Sequence, residues 1–262
     1  MKKLAIALTA LAALTGSASA ADLAARPYTK AAAVPTPVAS WTGCYIGAGG
    51  GGAYTNNDHN EFFTANGLAA SPNVTTGARG WFGTVGAGCD YQVDRFVFGV
   101  FGDYDFMDVK GDIAYDGQRA PMSTGSQKQD WQWAVGGRVG YVIVPQLMTY
   151  FSGGYTQTHL KSTDLFLFGV TPAIHNLPGA TKGGWFIGAG DEYALSFLPG
   201  LFWKTEYRYS EFDRANVSVN FTPAFGGGPT GFSMSEKLRE HSVRSELVYR
   251  FNWGGAPVAG KY

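Results

Sequence analysis

The sequence lacks an apolar run long enough to cross a membrane as a helix. Its only sustained apolar stretch, from Leu4 to Leu14, falls short of the about 18 residues that a spanning helix needs. It follows Lys2 and Lys3 and precedes the small residues Ala18-Ser19-Ala20, the pattern of a secretory signal peptide. We therefore expect residues 1–20 to be a cleaved signal peptide, with an uncleaved anchor as the alternative.

Charged residues are scarce, and neither sign dominates. They make up 15% of this chain, against about 25% of a typical soluble domain. Without the signal peptide, 18 Lys and Arg stand against 20 Asp and Glu, a formal charge of −2. This balance provides no basic field, so we expect no nucleic-acid partner. Low charge together with 15% aromatic residues suits either a membrane surface or an amyloid-like secreted chain, and the pattern along the sequence must decide.

That pattern changes at Trp41. Residues 21–40 contain three prolines and no regular period, which predicts a flexible periplasmic arm. From Trp41 onward, glycine-rich and aromatic segments alternate in polarity over about ten or more residues, the length at which a tilted strand crosses the hydrocarbon core. The predicted strands are 41–54, 76–91, 96–108, 129–144, 147–158, 183–195, 201–212 and 238–253.

The connections between these strands alternate between short and long. The short ones are 92–95, 145–146 and 196–200, and the long ones are 55–75, 109–128, 159–182 and 213–237. A membrane barrel with both ends in the periplasm has this rhythm, because tight turns lie on one side and extended loops on the other. The sequence therefore predicts an all-β fold: an eight-stranded antiparallel up-and-down transmembrane β-barrel over 41–253, with a tail at 254–262.

Polarity within the strands indicates which face meets lipid. In 129–144, Trp131 and Trp133 alternate with Asp130 and Gln132, so apolar side chains share one face. A lipocalin-like barrel would have the reverse polarity. The glycines of 47–52 leave the faces of the first strand undefined. Seven strand-end residues fit interfacial aromatic girdles: Trp41, Trp81, Trp131, Trp185, Tyr193, Trp203 and Trp253.

The predicted inner face collects five acids and five bases: Asp103, Asp105, Arg138, Glu192, Lys204, Glu206, Arg208, Arg244, Glu246 and Arg250. The interior of an eight-stranded barrel is just wide enough to be filled by side chains. These charges would be desolvated there, so we expect them to pair as a structural core. A gated conduit whose ion pairs rearrange is the alternative.

Cysteine and histidine are few. Cys44 and Cys89 are predicted at the periplasmic rim of neighbouring strands, where a disulfide is geometrically reasonable, although the unknown register leaves the pairing open. The histidines His59, His159 and His175 fall in predicted loops and form no ligand pattern with the cysteines. We expect no metal and no other cofactor.

A catalytic pair is not apparent. His241-Ser242 is the only adjacent pair of these types, and neighbouring residues on a strand face opposite sides. We therefore expect no enzymatic activity, and a lipid-modifying outer-membrane enzyme is the least favoured alternative.

Six stretches carry a family resemblance: 41–47 (WTGCYIG), 88–92 (GCDYQ), 98–103 (FGVFGD), 188–193 (GAGDEY), 204–209 (KTEYRY) and 248–251 (VYRF). They resemble the small porin-like outer-membrane proteins of alphaproteobacteria, often called outer-membrane immunogenic proteins, with an OmpA-like β-barrel. The resemblance implies a barrel in the outer membrane, surface loops, and a terminal aromatic residue, here Phe251, that the barrel-assembly machinery reads.

Two features depart from that family pattern. Asp191 has outward parity where the family is apolar, which places it at a polar rim or breaks the alternation. Eleven residues, Asn252 to Tyr262, follow Phe251, so the assembly signal is either internal or supplied by Tyr262.

The sequence thus favours a structural outer-membrane barrel that supports the envelope and displays loops. Its expected partners are outer-membrane lipid and lipopolysaccharide, the barrel-assembly machinery, and host or surface ligands of the loops. A narrow or gated porin-type channel for small solutes is the alternative function.

Overall fold

A computed structural model describes residues 40–115, 123–167 and 171–251. The predicted signal peptide, nearly all of the arm, Trp253 and the tail lie outside the described residues. In this described part of the chain, no helix has the length and apolar character needed to cross a membrane.

Eight antiparallel strands of the described chain close into a ring. They are β1 (Gly43–Phe63), β2 (Val74–Val93), β3 (Phe96–Tyr115), β4 (Ser123–Val144), β5 (Leu147–Leu160), β8 (Ala180–Ala194), β9 (Leu201–Phe212) and β11 (Pro229–Phe251). Three shorter strands lie in the long connections: β6 (Thr163–Leu167), β7 (His175–Leu177) and β10 (Ala215–Phe221). Each ring strand pairs with its neighbour, and β1 pairs with β11, which closes the barrel. The predicted eight-stranded antiparallel barrel is confirmed.

The three short connections are tight turns. Asp94-Arg95 joins β2 to β3, Pro145-Gln146 joins β4 to β5, and residues 195–200 join β8 to β9. Asp94 has a φ of 52° and Gly200 a φ of 85°, the left-handed region that Asp and Gly adopt more readily than most residues. All three turns lie at the periplasmic end of the ring.

The long connections contain more strand than the sequence predicts. β1 continues to Phe63, β3 continues to Tyr115, and β11 begins at Pro229, so the predicted loop starts at 55 and 109 and the loop end at 237 are wrong. The β1 extension is polar on both faces from Thr55 to Glu61, so it lacks the alternation of apolar and polar residues that marks a membrane strand. The β3 and β11 extensions instead place Ile113 and Met234 in the interior. Their backbones nevertheless continue the pairing, as between Asp58 and Lys237.

On the extracellular side, a different set of strands completes the ring. β6 pairs with β4 and β7, and β10 pairs with β7 and β11, so these three strands take the places that β5, β8 and β9 hold in the membrane. We call this upper part of the molecule the cap. A short 3₁₀ turn at Pro223–Phe225 follows β10. The core of the cap is apolar and contains Ile113, Leu165, Leu177, Val217, Val219 and Met234.

His175 lies in the cap rather than in an open loop. It is buried in β7, with Nδ1 3.3 Å from the Ser123 hydroxyl, and burial lowers the pKa of this histidine. The predicted loop positions of His59 and His159 are also wrong, since they lie in β1 and β5. These corrections have one cause, the extension of paired strands beyond the membrane.

Most of the outward aromatic residues lie in two belts, and Phe151 and Tyr155 are also exposed on β5. The extracellular belt contains Tyr54, Trp81, Tyr104, Phe106, Trp131, Trp185 and Tyr207, and the periplasmic belt contains Tyr91, Phe96, Phe98, Tyr141, Tyr193, Trp203 and Tyr249. The prediction that Trp41 belongs to a girdle is wrong. This residue precedes β1 and is fully buried, with its ring centroid 4.9 Å from that of Phe202. It closes the periplasmic end of the lumen because the chain turns inward before β1 begins.

The predicted alternation of inward and outward side chains fails at Asp130 and holds at Asp191. Asp130 is predicted inward, but the register shifts between Gln129 and Trp131, and its carboxylate instead lies 2.6 Å from Nδ1 of His159. The prediction failed because a β-bulge adds one residue without a partner and so resets the faces. Asp191 points outward near the periplasmic end of β8, while its neighbour Glu192 is fully buried in the lumen. The alternation holds there, and Asp191 lies at the polar rim.

Candidate functional site

The lumen near the periplasmic end holds a closed ring of charges. Arg138 donates to both oxygens of Asp90, Nε to Oδ1 at 3.0 Å and Nη2 to Oδ2 at 2.5 Å, and to Glu192 at 2.9 Å. Arg250 donates to the same two acids, at 2.6 Å to Asp90 and 2.7 Å to Glu192. These residues lie on β2, β4, β8 and β11, so the charges join four strands across the lumen. We call this set the lower cluster.

Aromatic rings cover the cations of the lower cluster. The Tyr45 ring centroid lies 4.7 Å from the guanidinium carbon of Arg138 and 5.0 Å from that of Arg250. Arg250 also donates to the carbonyl oxygen of Trp41 at 2.9 Å and faces the Phe202 ring at 5.1 Å. Rings at these distances favour a desolvated cation through their quadrupoles. Trp41 and Phe202 thereby seal the lower cluster from the periplasm.

A second group of charges, the middle cluster, lies further along the lumen. Arg208 forms a two-bond pair with Asp103, at 3.0 and 2.8 Å, and donates to Glu206 at 2.8 Å. Arg244 lies 3.1 Å from Asp105, and its contact with Asp103 is 3.4 Å. Two further contacts complete the group: Lys204 with Glu246 at 3.0 Å, and the Tyr150 hydroxyl, which donates to Glu206 at 2.9 Å.

The lumen is more acidic towards the cap. Lys182 pairs with Glu236 at 2.7 Å, whereas Glu240 receives hydrogen bonds from the side-chain amides of Gln129 at 2.8 Å and Gln132 at 3.3 Å. Gln129 also reaches the Thr158 hydroxyl at 2.7 Å. Amide donors therefore surround the carboxylate of Glu240, while the cation of this upper level is engaged by Glu236.

The charges of the predicted core lie inside the barrel. Asp103, Arg138, Glu192, Lys204, Glu206, Arg208, Arg244 and Glu246 are all 9% exposed or less. Removing an ion from water costs several kcal/mol, which only close partners can offset. The two-bond pairs of Arg138 with Asp90 and of Arg208 with Asp103 supply such partners. The arrangement can hold strands together across the lumen.

Sequence reasoning missed some members of the lumen. Asp90 shares the inward face with Gly86 and Gly88, and this spacing of two residues could have identified it. The glycines that follow Tyr45 carry no side chains, so the sequence did not show which face of β1 contains Tyr45. Gly49 and Gly51 face the lumen, where an added Cβ would collide with the carbonyl oxygens of Ser245 and Val243. Lys182 and Glu236 fell within predicted loops, so their faces were not considered.

The remaining predicted positions lie on the outer wall. Cys44 and Cys89 are directly opposite on β1 and β2 and form a disulfide, with their Cα atoms 3.9 Å apart. Phe251 faces outward opposite Cys44 on β11, with its ring centroid 5.1 Å from that of Tyr249. Recognition of Phe251 by the assembly machinery stays a prediction.

His241 and Ser242 do not face each other. The imidazole Nδ1 of His241 lies 2.7 Å from the Tyr207 hydroxyl on the outer wall, whereas Ser242 is buried in the lumen. Within the ranges that the structure describes, no group of three or more His, Cys, Asp or Glu residues is arranged to hold a metal ion.

Comparison with known proteins identifies relatives of this chain. No protein-family model matches the chain. It is 32% identical over 238 residues to the 31 kDa outer-membrane immunogenic protein of Brucella melitensis, covering 90% of this chain and 94% of the relative. It is 25% identical over 254 residues to the 25 kDa outer-membrane immunogenic protein of Brucella canis, covering 96% and 99%. The 22 kDa outer membrane protein of Rhizobium leguminosarum is 26% identical over 215 residues, covering 82% and 80%.

Among solved structures, the outer membrane protein OprG from Pseudomonas aeruginosa has a similar fold. Its TM-score is 0.51 at 12% sequence identity, covering 81% of this chain and 99% of OprG. At that identity, the likeness concerns the fold alone. The relatives and this fold agree on an outer-membrane β-barrel.

Proposed function

Because the chain belongs to the family of the 31 kDa outer-membrane immunogenic protein and is a β-barrel of the outer membrane, we propose that its role is structural. It contributes to envelope integrity and displays its cap to the environment or a host. None of the relatives compared above is named as an enzyme, and the separation of His241 from Ser242 also favours a role without catalysis.

The observation that carries this proposal is the filled lumen. Trp41 and Phe202 cover the periplasmic end, the lower and middle clusters cross the barrel, and the cap has an apolar core. Transport would require Arg138 and Arg250 to leave Asp90, although all three are 5% exposed or less. Breaking a buried pair leaves uncompensated charge, which opposes such a movement.

Conductance of the refolded protein in planar lipid bilayers tests the proposal. We expect no discrete current steps at moderate voltage, while a wide 16-stranded porin reconstituted in the same way gives large ones. The Arg138→Gln variant shows whether any current passes through the lumen, because the side chain of Arg138 lies in the lower cluster. Steps from the wild-type protein that change in size in this variant would establish conduction through the lumen and overturn the structural role.

The same proposal has a cellular readout. Deleting the gene should raise the sensitivity of the cells to detergents and leave uptake of small hydrophilic solutes unchanged. Restoring the wild-type gene should reverse the detergent phenotype. Unchanged detergent sensitivity with reduced uptake would instead support the channel.

A further inference from the structure

Four basic residues lie side by side on the outer wall of the barrel, on the extracellular side. Arg79 on β2 is directly opposite Lys110 on β3, and Lys110 is opposite Lys128 on β4. Lys161, just after β5, donates its backbone N–H to the carbonyl oxygen of Lys128 at 2.8 Å. All four side chains have outward parity. We call Arg79, Lys110, Lys128 and Lys161 the cation row.

The acids in contact with the cation row, Asp108 and Asp130, are fewer than its four members. Lys110 and Lys128 share one carboxylate, that of Asp108: both ammonium groups contact Oδ1, at 2.9 and 2.6 Å, and Lys110 also donates to Oδ2 at 3.2 Å. Lys161 is 4.0 Å from Asp130, whose nearer partner is His159. Arg79 is exposed and makes no ion pair with any described residue. Two more exposed acids, Asp112 and Asp164, lie further from the membrane and form no ion pair with the row among the described residues. Close contacts therefore leave the four cations only partly paired.

An apolar surface begins directly below the cation row. Trp81 is 65% exposed and Phe106 60%, two and four positions towards the membrane from Arg79 and Lys110. The rings of Trp131 and His159 stack beside them, with centroids 5.4 Å apart and planes 7° apart. A strand rises about 3.3 Å per residue, so the row lies roughly 7–13 Å along the strands above these rings. Tyr54 of the extracellular aromatic belt is directly opposite Arg79, and such belts mark the headgroup level, so the row begins at the level of the lipid phosphates.

The opposite wall differs in its charge pattern. There, Lys237 pairs with Glu211 at 2.6 Å and Arg239 pairs with Asp58, so each cation has its own carboxylate. The cations on this side thus have individual close partners, whereas those of the row share a partner, hold one at 4.0 Å or, for Arg79, make no ion pair with a described residue. A diffuse requirement for solubility would not produce this asymmetry.

We propose that the cation row binds the phosphate groups of lipopolysaccharide in the outer leaflet, with its acyl chains against the apolar strands below. Arg79 offers two parallel N–H donors to a phosphate, and the lysines act as point charges. Anionic headgroups at a membrane surface attract such residues additively. The lipid site requires only that the barrel lies in the outer membrane. Its tests are therefore independent of the proposed structural role.

Titration of the refolded full chain in detergent, followed by native mass spectrometry, tests this site. The probes are bisphosphorylated hexa-acylated lipid A, the same lipid without phosphates, and inorganic phosphate. We expect clear preference for the phosphorylated lipid and no competition by millimolar inorganic phosphate. Equal affinity for the two lipids would mean that only acyl chains bind, and full competition by phosphate would mean a free-anion site. Either result overturns the proposal.

Two matched variants locate the site. Arg79→Gln/Lys110→Gln should weaken binding of phosphorylated lipid A by about 30-fold, while Arg239→Gln/Lys237→Gln should change it by less than about threefold. Each variant removes one Arg and one Lys from exposed or half-exposed positions, and heat-modifiable migration on gels verifies folding. Equal losses in the two variants would show diffuse attraction and reject the site.

Asp108→Asn gives a test of opposite sign. Removing this carboxylate frees Lys110 and Lys128, so affinity for phosphorylated lipid A should rise by about fivefold. A fall in affinity would contradict the assignment of the lysines to phosphate.

Discussion

Individual buried charges determine how firmly the lower end of the barrel is held. Asp90 and Glu192 each accept hydrogen bonds from both Arg138 and Arg250, so every member of the lower cluster has two partners of opposite charge. None of the four is more than 5% exposed. Losing one acid therefore leaves two guanidinium groups with a single carboxylate between them, in a place where water cannot compensate.

Asp90→Asn should lower the free energy of unfolding by roughly 3–5 kcal/mol, because it removes one charge and keeps the shape. The measurement is the urea midpoint of the folded band on unboiled gels. Asp191→Asn is the matched control, since the same substitution at this exposed position should change stability by less than about 0.5 kcal/mol. Equal midpoints for the two variants would show that the lower cluster does not stabilise the barrel.

At the scale of elements, the hairpin of β1 and β2 has few side chains to pack along its first strand. A disulfide joins its two strands. β1 pairs with β2 on one side and with β11 on the other, so it completes the barrel. Its run of glycines, Gly49 to Gly52, provides little side-chain packing. The disulfide between Cys44 and Cys89 fixes the periplasmic end of β1 against β2, next to Phe251.

Removing that disulfide should destabilise the barrel through the unfolded state. The cysteines are 45 residues apart, and releasing a loop of this length costs about 4 kcal/mol in the chain-entropy model. Cys44→Ser/Cys89→Ser should therefore unfold at lower urea than the oxidised wild type. A reductant should bring the wild type to the midpoint of the variant and leave the variant unchanged. A wild type insensitive to reductant would contradict this role.

At the scale of the whole molecule, the residues that the structure describes form two stacked rings that share five strands. β1, β2, β3, β4 and β11 run through both, while β5, β8 and β9 complete the membrane ring and β6, β7 and β10 complete the cap. The interiors differ, with ion pairs in the membrane ring and apolar side chains such as Leu165 and Met234 in the cap. Since β5 pairs with β8 as far as Leu160 and Ala180, the membrane ring closes without β6 or β7.

Replacing residues 162–178 with a short Gly–Ser linker should therefore leave the membrane ring folded. Heat-modifiable migration should persist, whereas the exposed cap core should bind a hydrophobic dye and residues 213–228 should become sensitive to protease. The intact chain under the same conditions is the control. Loss of the heat-modifiable form would show that the membrane ring depends on the cap.

The sequence by itself determined the features that depend on local periodicity. Alternation of two residues assigned Arg138, Glu206 and Arg244 to the lumen, and tight turns such as Pro145-Gln146 set the count of strands. Both signals lie within a few neighbouring residues, so they can be read without knowing which strands pair. The alternation failed at Asp130, where one extra residue shifted the faces.

Only the tertiary structure decided which of these residues meet. Asp103 and Arg208 are 105 positions apart, yet they pair across the lumen because ring closure and register bring their strands opposite each other. For the same reason, Trp41 closes the periplasmic end of the lumen, the strand extensions form part of the cap, and four cations from separate segments lie in a row. Register is fixed by backbone hydrogen bonds between distant segments, and no local pattern encodes it.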